Sequence, residues 1–234
     1  MFLLILAILL TAFVSYLLGS LNFAIIISRI LLKKDDSLYR EKQVERKRGD
    51  IRDFGSGNGG MTNILRTFGK GPAVLTTLGD LLKGIFAVLL GRFFFIYIAG
   101  MADFSSGEYI AAAFALLGHM FPLYYGFKGG KGIMTSAGVL LVIDPIVCMM
   151  ILGVFLVVVL ISRIVSLSSI CAAVAYPLAT LLLRFLQHAD GYVILRDSLF
   201  ALAIAILVIF MHRSNIQRLL NGTEARFNKK SNGK

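Results

Sequence analysis

The stretch MFLLILAILLTAFVSYLLGSLNFAIIIS (Met1–Ser28) decides the fold, because it contains no charged side chain. A helix of roughly 20 apolar residues crosses the hydrocarbon core of a bilayer, and this run is longer than that. A cleaved signal peptide is the alternative. However, no basic segment precedes the apolar run, and no small-x-small cleavage site precedes the polar stretch after it. We therefore predict that Met1–Ile30 is a retained first membrane helix.

The rest of the chain has the same character. Hydrophobic residues make up 57% of the 234 residues and charged residues only 16%, with a mean hydropathy of +0.81. This leaves too little polar surface to cover a water-soluble globule. Most windows are apolar on every face, and a lipid-exposed segment must satisfy its own backbone hydrogen bonds, so helices are assigned by length. We predict an all-α integral membrane protein with a single domain over 1–234.

The predicted architecture has about seven transmembrane helices, several of them short or broken. Ile133–Ile143 is too short to span a bilayer unaided, and Gly118 and Pro122 end the segment before it. Such segments usually border a cavity lined by protein. The predicted helices cover residues 1–30, 72–98, 108–122, 133–143, 145–161, 165–186 and 195–211.

Basic residues collect on one side of this topology. The connection Lys33–Arg52 carries eight basic and five acidic residues, and the chain from Arg213 carries six basic and one acidic. The positive-inside rule then places the N-terminus outside and the C-terminus in the cytoplasm. We interpret 33–52 as a charged cytoplasmic connection, either solvated or a short surface helix and not a catalytic module, and 225–234 as a basic tail.

The net charge of +11 is explained mainly by topology and by attraction to anionic headgroups. Nucleic acid is not an expected partner, because no soluble basic domain or nucleic-acid motif is present. Cys148 and Cys171 lack CxxC or Cys/His spacing and are interpreted as packing residues. No cluster of carboxylates predicts a metal site, and no cofactor is expected.

Three polar islands interrupt the apolar sequence. The first is GSGNGGMTNILR (Gly55–Arg66), in which glycines let successive backbone amides point at one anion. Ser56, Asn58, Thr62 and Asn63 add neutral donors, and Arg66 can bind a phosphate through two hydrogen bonds. Thr62 is expected near the start of a short helix. A glycine-rich turn between two membrane helices is the alternative.

The second island contains FKGGKG (Phe127–Gly132), where Lys128 and Lys131 flank a glycine pair and Thr135 follows at a helix start. Two ammonium groups on a flexible backbone suit a dianionic phosphate, although a cytoplasmic turn with topology lysines has the same composition. The island runs from Gly118 to Thr135, and His119 near its start is either a structural residue or a base.

Two further groups of polar residues lie within or directly after apolar segments. Asp80 and Lys83 lie one helical turn apart in apolar sequence, so they predict an intramembrane ion pair. The third island, HRSNIQRLLNGTE (His212–Glu224), follows the last apolar run. His212, Asn215 and Arg218 are spaced to share one helix face, and Glu224 is expected to pair with a cation. A juxtamembrane basic helix without chemistry is the alternative.

Together these residues resemble the bacterial acyl-phosphate:glycerol-3-phosphate acyltransferase family. The resemblance extends from Gly19–Ser20 to Glu224 through ordered motifs: DIRDFGSGNGGMTNILR, DLLKG, GHMFPLYYGFKGGKGIMT, SRIVSLSSI and HRSNIQRLLNGTE. It implies a seven-helix membrane enzyme that transfers a fatty acyl group from acyl phosphate to the 1-hydroxyl of sn-glycerol 3-phosphate. The products are lysophosphatidic acid and phosphate, in the first step of bacterial phospholipid synthesis.

The resemblance also implies roles for individual residues. The implied catalytic residues are Ser56, Arg66, His212 and Asn215, and the implied structural residues are Asp80 and Glu224. The implied substrate-binding residues are Gly57, Asn58, Gly60, Thr62, Asn63, Lys83, His119, Lys128, Gly129, Gly130, Lys131, Gly132, Thr135, Ser166, Ser169 and Arg218. The chain departs from the family pattern at Asn22, where proline is usual, at Met61, where alanine is usual, and in the length of 33–52.

The implied acyl-phosphate chemistry is consistent with the lack of a nucleophilic catalytic triad in the sequence. An acyl phosphate has a good leaving group, so no acyl-enzyme is required, and no Ser-His-Asp or Cys-His arrangement is evident. A phosphate oxygen, His212 or His119 is the candidate base. Expected partners are the two substrates, the lipid bilayer and a soluble acyl-phosphate-forming enzyme. An organic-phosphate transporter is the alternative function.

Overall fold

The computed structural model describes residues 1–101 and 103–226. Within these residues all regular structure is helical, with eleven α-helices and two short 3-10 helices, at Ile51–Asp53 and Leu123–Tyr125. The basic tail predicted at 225–234 lies, from residue 227 onward, outside the described residues. The helices are α1 (Phe2–Ser20), α2 (Phe23–Lys34), α3 (Ser37–Glu41), α4 (Met61–Phe68), α5 (Lys70–Tyr97), α6 (Ser105–Met120), α7 (Ile133–Ile143), α8 (Pro145–Ser162), α9 (Val165–Leu186), α10 (Gly191–Met211) and α11 (Arg213–Leu220).

Each of the seven apolar segments predicted from the sequence contains an α-helix, and the all-α membrane fold is confirmed. In the part of the chain that the structure describes, five spans are long and apolar enough to cross a membrane by length and composition: Phe2–Lys34, α5, α8, α9 and α10. α7 has 11 residues and α6 has 16. The count of seven crossings and their orientation stay predictions.

The prediction of one continuous first helix was wrong. The helix ends at Ser20 and a new one starts at Phe23. Asn22 takes an extended conformation and its side chain accepts a hydrogen bond from the amide of Ile25 at 3.0 Å. A side chain that caps a new helix competes with continuation of the old one, so the chain breaks here despite apolar sequence on both sides.

The chain divides into two compact units, Met1–Ile143 and a second beginning at Asp144. The prediction of a single domain stays a prediction. In the first unit α1 packs closely on α6, because glycine on each helix admits the other backbone. A Cβ on Gly19 would collide with the carbonyl of Ala115, and one on Gly118 with the carbonyl of Tyr16. Small residues at such crossings are typical of membrane helix pairs.

The connection 33–52 contains the short helix α3, one of the two predicted alternatives, but it is not wholly solvated. Tyr39, Ile51 and Arg52 are buried, and a hydrophobic cluster forms around Ile25, Tyr39, Ile51, Phe54 and Ile64. Burial raises the pKa of Tyr39, and its hydrogen bond to Asp53 at 2.8 Å raises it further. This folded connection carries the chain into the first polar island.

The second unit contains α8 to α11, with α9 packed against both α8 and α10. α8 begins at Pro145, and its N-cap residue Asp144 accepts a hydrogen bond from the amide of Val147 at 3.1 Å. Arg184 on α9 bridges Asp144 at 2.6 Å and Asp197 on α10 at 2.7 Å. One guanidinium therefore joins all three long helices of this unit.

Candidate functional site

The first polar island forms a tight loop closed by one buried amide. Asn63, 3% exposed, donates from Nδ2 to the carbonyls of Ile51 (3.2 Å), Phe54 (2.9 Å) and Asn58 (3.1 Å). Its Oδ1 accepts a hydrogen bond from the amide of Ser56 at 3.3 Å. These hydrogen bonds of the buried Asn63 side chain therefore hold the backbone of the loop in one conformation.

Glycine is required where this loop passes Asn63. Gly55 and Gly57 have φ of 54° and 69°, in the left-handed region, and a Cβ on Gly55 would collide with Oδ1 of Asn63. The loop ends at Gly60, the N-cap of α4. As predicted, a short helix starts next to Thr62. The amide of Asn63 already donates to the carbonyl of Gly60 at 3.1 Å, so the helix start can offer an anion the amides of Met61 and Thr62.

The remaining side chains of the first island differ in exposure. Ser56 and Arg66 are exposed, with Arg66 in the last turn of α4, while Asn58 and Thr62 are half-buried. The polar groups that face solvent are thus a hydroxyl and a guanidinium. Both are suited to hydrogen bonding with a phosphate.

The second polar island folds back onto the end of α6. The amide of Gly129 donates to the carbonyl of Met120 and the amide of Gly130 to the carbonyl of His119, both at 3.1 Å. Gly132 has a φ of 84°. Lys128 is exposed and Lys131 half-buried, and Thr135 is buried in the first turn of α7. These bonds fix the backbone that carries the two lysines.

A residue that the sequence reasoning missed anchors this loop. Arg52 donates to the carbonyls of Tyr125 at 2.7 Å and Lys128 at 3.0 Å. Its Nε and Nη2 each lie 2.8 Å from a different carboxylate oxygen of the buried Asp50. A bidentate pair of this kind holds the guanidinium plane in one orientation. Arg52 belongs to the motif DIRDFG, but its carbonyl acceptors lie more than 70 residues away in the chain, so local sequence predicts only a connection here.

The predicted ion pair in α5 is confirmed. Nζ of Lys83 lies 2.8 Å from Oδ1 of Asp80, and both side chains are buried. The same Nζ lies 2.8 Å from Nδ1 of His119 and donates to the carbonyl of Leu21 at 2.7 Å. The pair is therefore linked to both α6 and the break between α1 and α2.

The glycine-rich loops of the first and second polar islands, called here the first and second glycine loops, contact each other. A Cβ on Gly130 would lie 2.7 Å from the carbonyl oxygen of Gly59 and would collide with Nε2 of His119. Asn22, a second residue missed as functional, donates from Nδ2 to the same carbonyl of Gly59 at 3.1 Å. Backbones can approach this closely only where no side chain intervenes. The structure thus brings together the two islands predicted to bind phosphate.

The third island forms a compact polar network around Glu224 in the second unit. Glu224 accepts hydrogen bonds from Ser166 and Asn215 at 2.8 Å each and from Nε of Arg218 at 2.6 Å. The predicted pairing of Glu224 with a cation is confirmed, with Arg218 as the partner. Although burial alone would raise the pKa of Glu224, these three donors lower it below its ordinary value.

His212 has a defined ring orientation at the junction of α10 and α11. It is 2% exposed, and its Nδ1 lies 2.8 Å from the carbonyl of Val208. Because a carbonyl only accepts, Nδ1 carries the proton, and the neutral ring then has its lone pair on Nε2.

Ser169 donates to the carbonyl of Val165 in its own helix. Ser166, in contrast, belongs to the Glu224 network.

In residues 1–101 and 103–226, no group of three His, Cys, Asp or Glu side chains is arranged to hold a metal ion.

Comparison with known proteins gives consistent results. The family model described as glycerol-3-phosphate acyltransferase matches residues 9–222. A glycerol-3-phosphate acyltransferase of Neisseria meningitidis is 41% identical, over 93% of this chain and 96% of that protein. One of Pelodictyon phaeoclathratiforme is 37% identical, over 91% and 93% respectively.

Two solved structures have a similar fold. The crystal structure of PlsY (YgiH), an integral membrane glycerol 3-phosphate acyltransferase, in its glycerol 3-phosphate form has a TM-score of 0.70 and 34% identity, covering 94% of this chain and 96% of that chain. Its lysophosphatidic acid form has a TM-score of 0.66 and 33% identity, covering 94% and 95%.

Proposed function

The chain belongs to the glycerol-3-phosphate acyltransferase family, and we propose that it transfers a fatty acyl group from acyl phosphate to the 1-hydroxyl of sn-glycerol 3-phosphate. The enzyme is an integral membrane acyltransferase. The proposed products are lysophosphatidic acid and inorganic phosphate, which makes the reaction the first step of phospholipid synthesis. The observation that carries this proposal is the contact between the two glycine loops at Gly59 and Gly130.

The proposed reaction is a direct displacement at the acyl carbon. The 1-hydroxyl oxygen attacks the carbonyl carbon, the bond from that carbon to the phosphate oxygen breaks, and phosphate leaves with the electron pair. The hydroxyl proton passes to a phosphate oxygen or to Nε2 of His212, whose Nδ1 already donates to Val208. No acyl-enzyme forms, and catalysis rests on positioning and charge stabilisation.

Phosphate binding is proposed for cations of three islands. Arg66, Lys131 and Arg218 are proposed to bind the phosphate groups of the two substrates, and Ser56, Asn58 and Asn215 to orient them. Glu224 holds Arg218 and Asn215 through two of its hydrogen bonds. Loss of one such charge-assisted contact is expected to raise the KM for the substrate concerned.

The activity test uses the purified protein in detergent with acyl phosphate and labelled glycerol 3-phosphate. The expected product is labelled lysophosphatidic acid with release of one phosphate per acyl group, without thioester donor or divalent metal. Absence of product with acyl phosphate, together with product from an acyl thioester, would overturn the proposed donor. A His212→Gln variant with near-normal turnover across pH would exclude His212 as an obligatory base.

The location is proposed from the charge distribution. We place the enzyme in the bacterial cytoplasmic membrane as a single multi-pass domain, with the polar islands facing the cytoplasm. A cysteine introduced at the exposed Lys128 should react with an impermeant thiol reagent in inverted vesicles and not in intact cells. A soluble acyl-phosphate-forming enzyme is proposed as a partner, and its co-purification with the membrane protein tests this.

A further inference from the structure

The buried ammonium group of Lys83 contacts α5, α6 and the break between α1 and α2. Nζ of Lys83 lies within 2.8 Å of Asp80 Oδ1, of the carbonyl oxygen of Leu21 and of His119 Nδ1. The side chain of Lys83 is 1% exposed and that of Asp80 3%. An ammonium has three N–H groups and no acceptor, so Nζ hydrogen-bonds to the Leu21 carbonyl and to Nδ1 of His119, while its contact with Asp80 is an ion pair.

This arrangement fixes the tautomer of His119. Because Lys83 can only donate, Nδ1 of His119 accepts and carries the lone pair, while the ring proton is on Nε2. Nδ1 also lies 3.5 Å from Oδ1 of Asp80, a longer separation than its 2.8 Å to Nζ. A ring in this state has no basic nitrogen available to a substrate hydroxyl at Nδ1.

His119 contacts the second glycine loop at Gly130. Its carbonyl accepts the hydrogen bond from the amide of Gly130 at 3.1 Å. Its Nε2 faces Gly130 so closely that a Cβ there would collide with it. Both the backbone and the ring of His119 therefore set the position of Gly130.

Leu21 and Asn22 connect the Lys83 ammonium to the first glycine loop. The carbonyl bound by Lys83 belongs to the break between α1 and α2, directly before Asn22. Asn22 in turn donates to the carbonyl of Gly59 at 3.1 Å. The Lys83 ammonium is thus connected to both loops, through Leu21–Asn22 on one side and His119 on the other.

We propose that Asp80, Lys83 and His119 form a positioning triad that sets the distance between the first loop at Gly59 and the second loop at Gly130, without any of the three touching substrate. This inference rests on the proposed function, because it assigns those loops to the same reaction. It gives Lys83 and His119 a role different from direct substrate binding, and it excludes His119 as the base.

The kinetic test compares two substitutions of His119. His119→Phe removes the acceptor, so KM for glycerol 3-phosphate or acyl phosphate should rise about tenfold or more, with a smaller change in kcat. In His119→Gln the amide oxygen can accept from Lys83 and the amide nitrogen can donate, so KM should return at least partly to the wild-type value. The shape of the pH profile should be the same in all three proteins. A His119→Gln enzyme with normal KM and a kcat as low as that of His119→Phe would overturn the proposal, as would a lost pH inflection.

A second variant acts on the loop itself. Gly130→Ala places a methyl group against the His119 ring and should reproduce the rise in KM. The matched control is Gly71→Ala, since a Cβ at Gly71 meets no atom within 4 Å. If Gly130→Ala and Gly71→Ala have the same KM values, the contact between ring and loop does not control binding and the proposal fails.

The third measurement does not depend on activity. In protein labelled with 15N-histidine at neutral pH, His119 should show a bare Nδ1 and a protonated Nε2. A ring with Nδ1 protonated would overturn the proposed triad. If the wild-type protein forms no product but this signature is present, the reaction assignment fails while the assignment of the triad's hydrogen bonds stands.

Discussion

The side chains of Arg218 and Glu224 form an ion pair with Nε and Oε2 2.6 Å apart, and the Glu224 side chain is 6% exposed. Because its pKa is lower in the folded protein than in the unfolded chain, the carboxylate stabilises the fold above the unfolded pKa. This contribution is lost as the pH falls through the folded pKa. We expect Glu224→Gln to lower the stability at neutral pH by roughly 1–3 kcal/mol. Thermal unfolding in detergent should show the difference from wild type shrinking below about pH 4.5.

The control for this prediction is Glu45→Gln. Glu45 pairs with Lys47 at 3.2 Å, but both side chains are more than two-thirds exposed, and such pairs contribute little. Its melting temperature should equal that of wild type at every pH. A difference between Glu224→Gln and wild type that stays constant down to low pH would mean that the carboxylate charge is not what stabilises this network.

The amide of Asn63 provides a second prediction. Asn63→Asp replaces the Nδ2 donor with an oxygen that faces the carbonyls of Phe54 and Asn58. Repulsion between these oxygens should open the loop, so the loss of acyl transfer should exceed that of Asn63→Ala and reach about a hundredfold in kcat/KM. Initial rates over a range of glycerol 3-phosphate concentrations measure it. Asn221→Asp, at an exposed position after α11, should behave like wild type. Equal activity of Asn63→Asp and Asn63→Ala would contradict the inferred hydrogen bonds.

Local spacing explains which contacts could be predicted from the sequence. Asp80 and Lys83 are three residues apart on one helix, so their pairing follows from helix geometry alone. α7 and α9 have the bounds predicted from the length of their apolar segments. The break at Leu21–Asn22 could not be predicted in this way, because hydropathy gives no signal where apolar residues stand on both sides. The contacts of Arg52 depend on a fold that brings together residues distant in the chain.

Arg52 is the subject of a third prediction. A lysine at this position has no planar fork, so it cannot bind Asp50 and the carbonyls of Tyr125 and Lys128 together. We expect Arg52→Lys to loosen the second loop and raise the KM for its phosphate ligand about tenfold, with a smaller effect on kcat. Steady-state kinetics with each substrate varied in turn would measure this. Arg46→Lys is the matched control, because Arg46 is exposed and lies 3.8 Å from its partner Asp36. Unchanged KM values in Arg52→Lys would show that the loop keeps its position without the guanidinium.

The last prediction concerns stability without a change in substrate binding. Arg184 bridges Asp144 and Asp197, whose side chains are 9% and 4% exposed. Arg184→Met removes the cation and leaves two buried carboxylates, although Asp197 keeps its contact with Arg196 at 2.9 Å. Breaking a buried pair from one side is expected to cost about 3–5 kcal/mol, so the melting temperature in detergent should fall markedly. Adding Asp144→Asn to Arg184→Met should recover part of the loss, because one uncompensated charge is then removed. Throughout the series, KM for both substrates should stay at the wild-type value in the folded fraction, since these residues have no assigned role in binding. A double variant less stable than Arg184→Met alone would contradict the expected cost of the unpaired Asp144 carboxylate, because asparagine keeps the acceptor that caps α8.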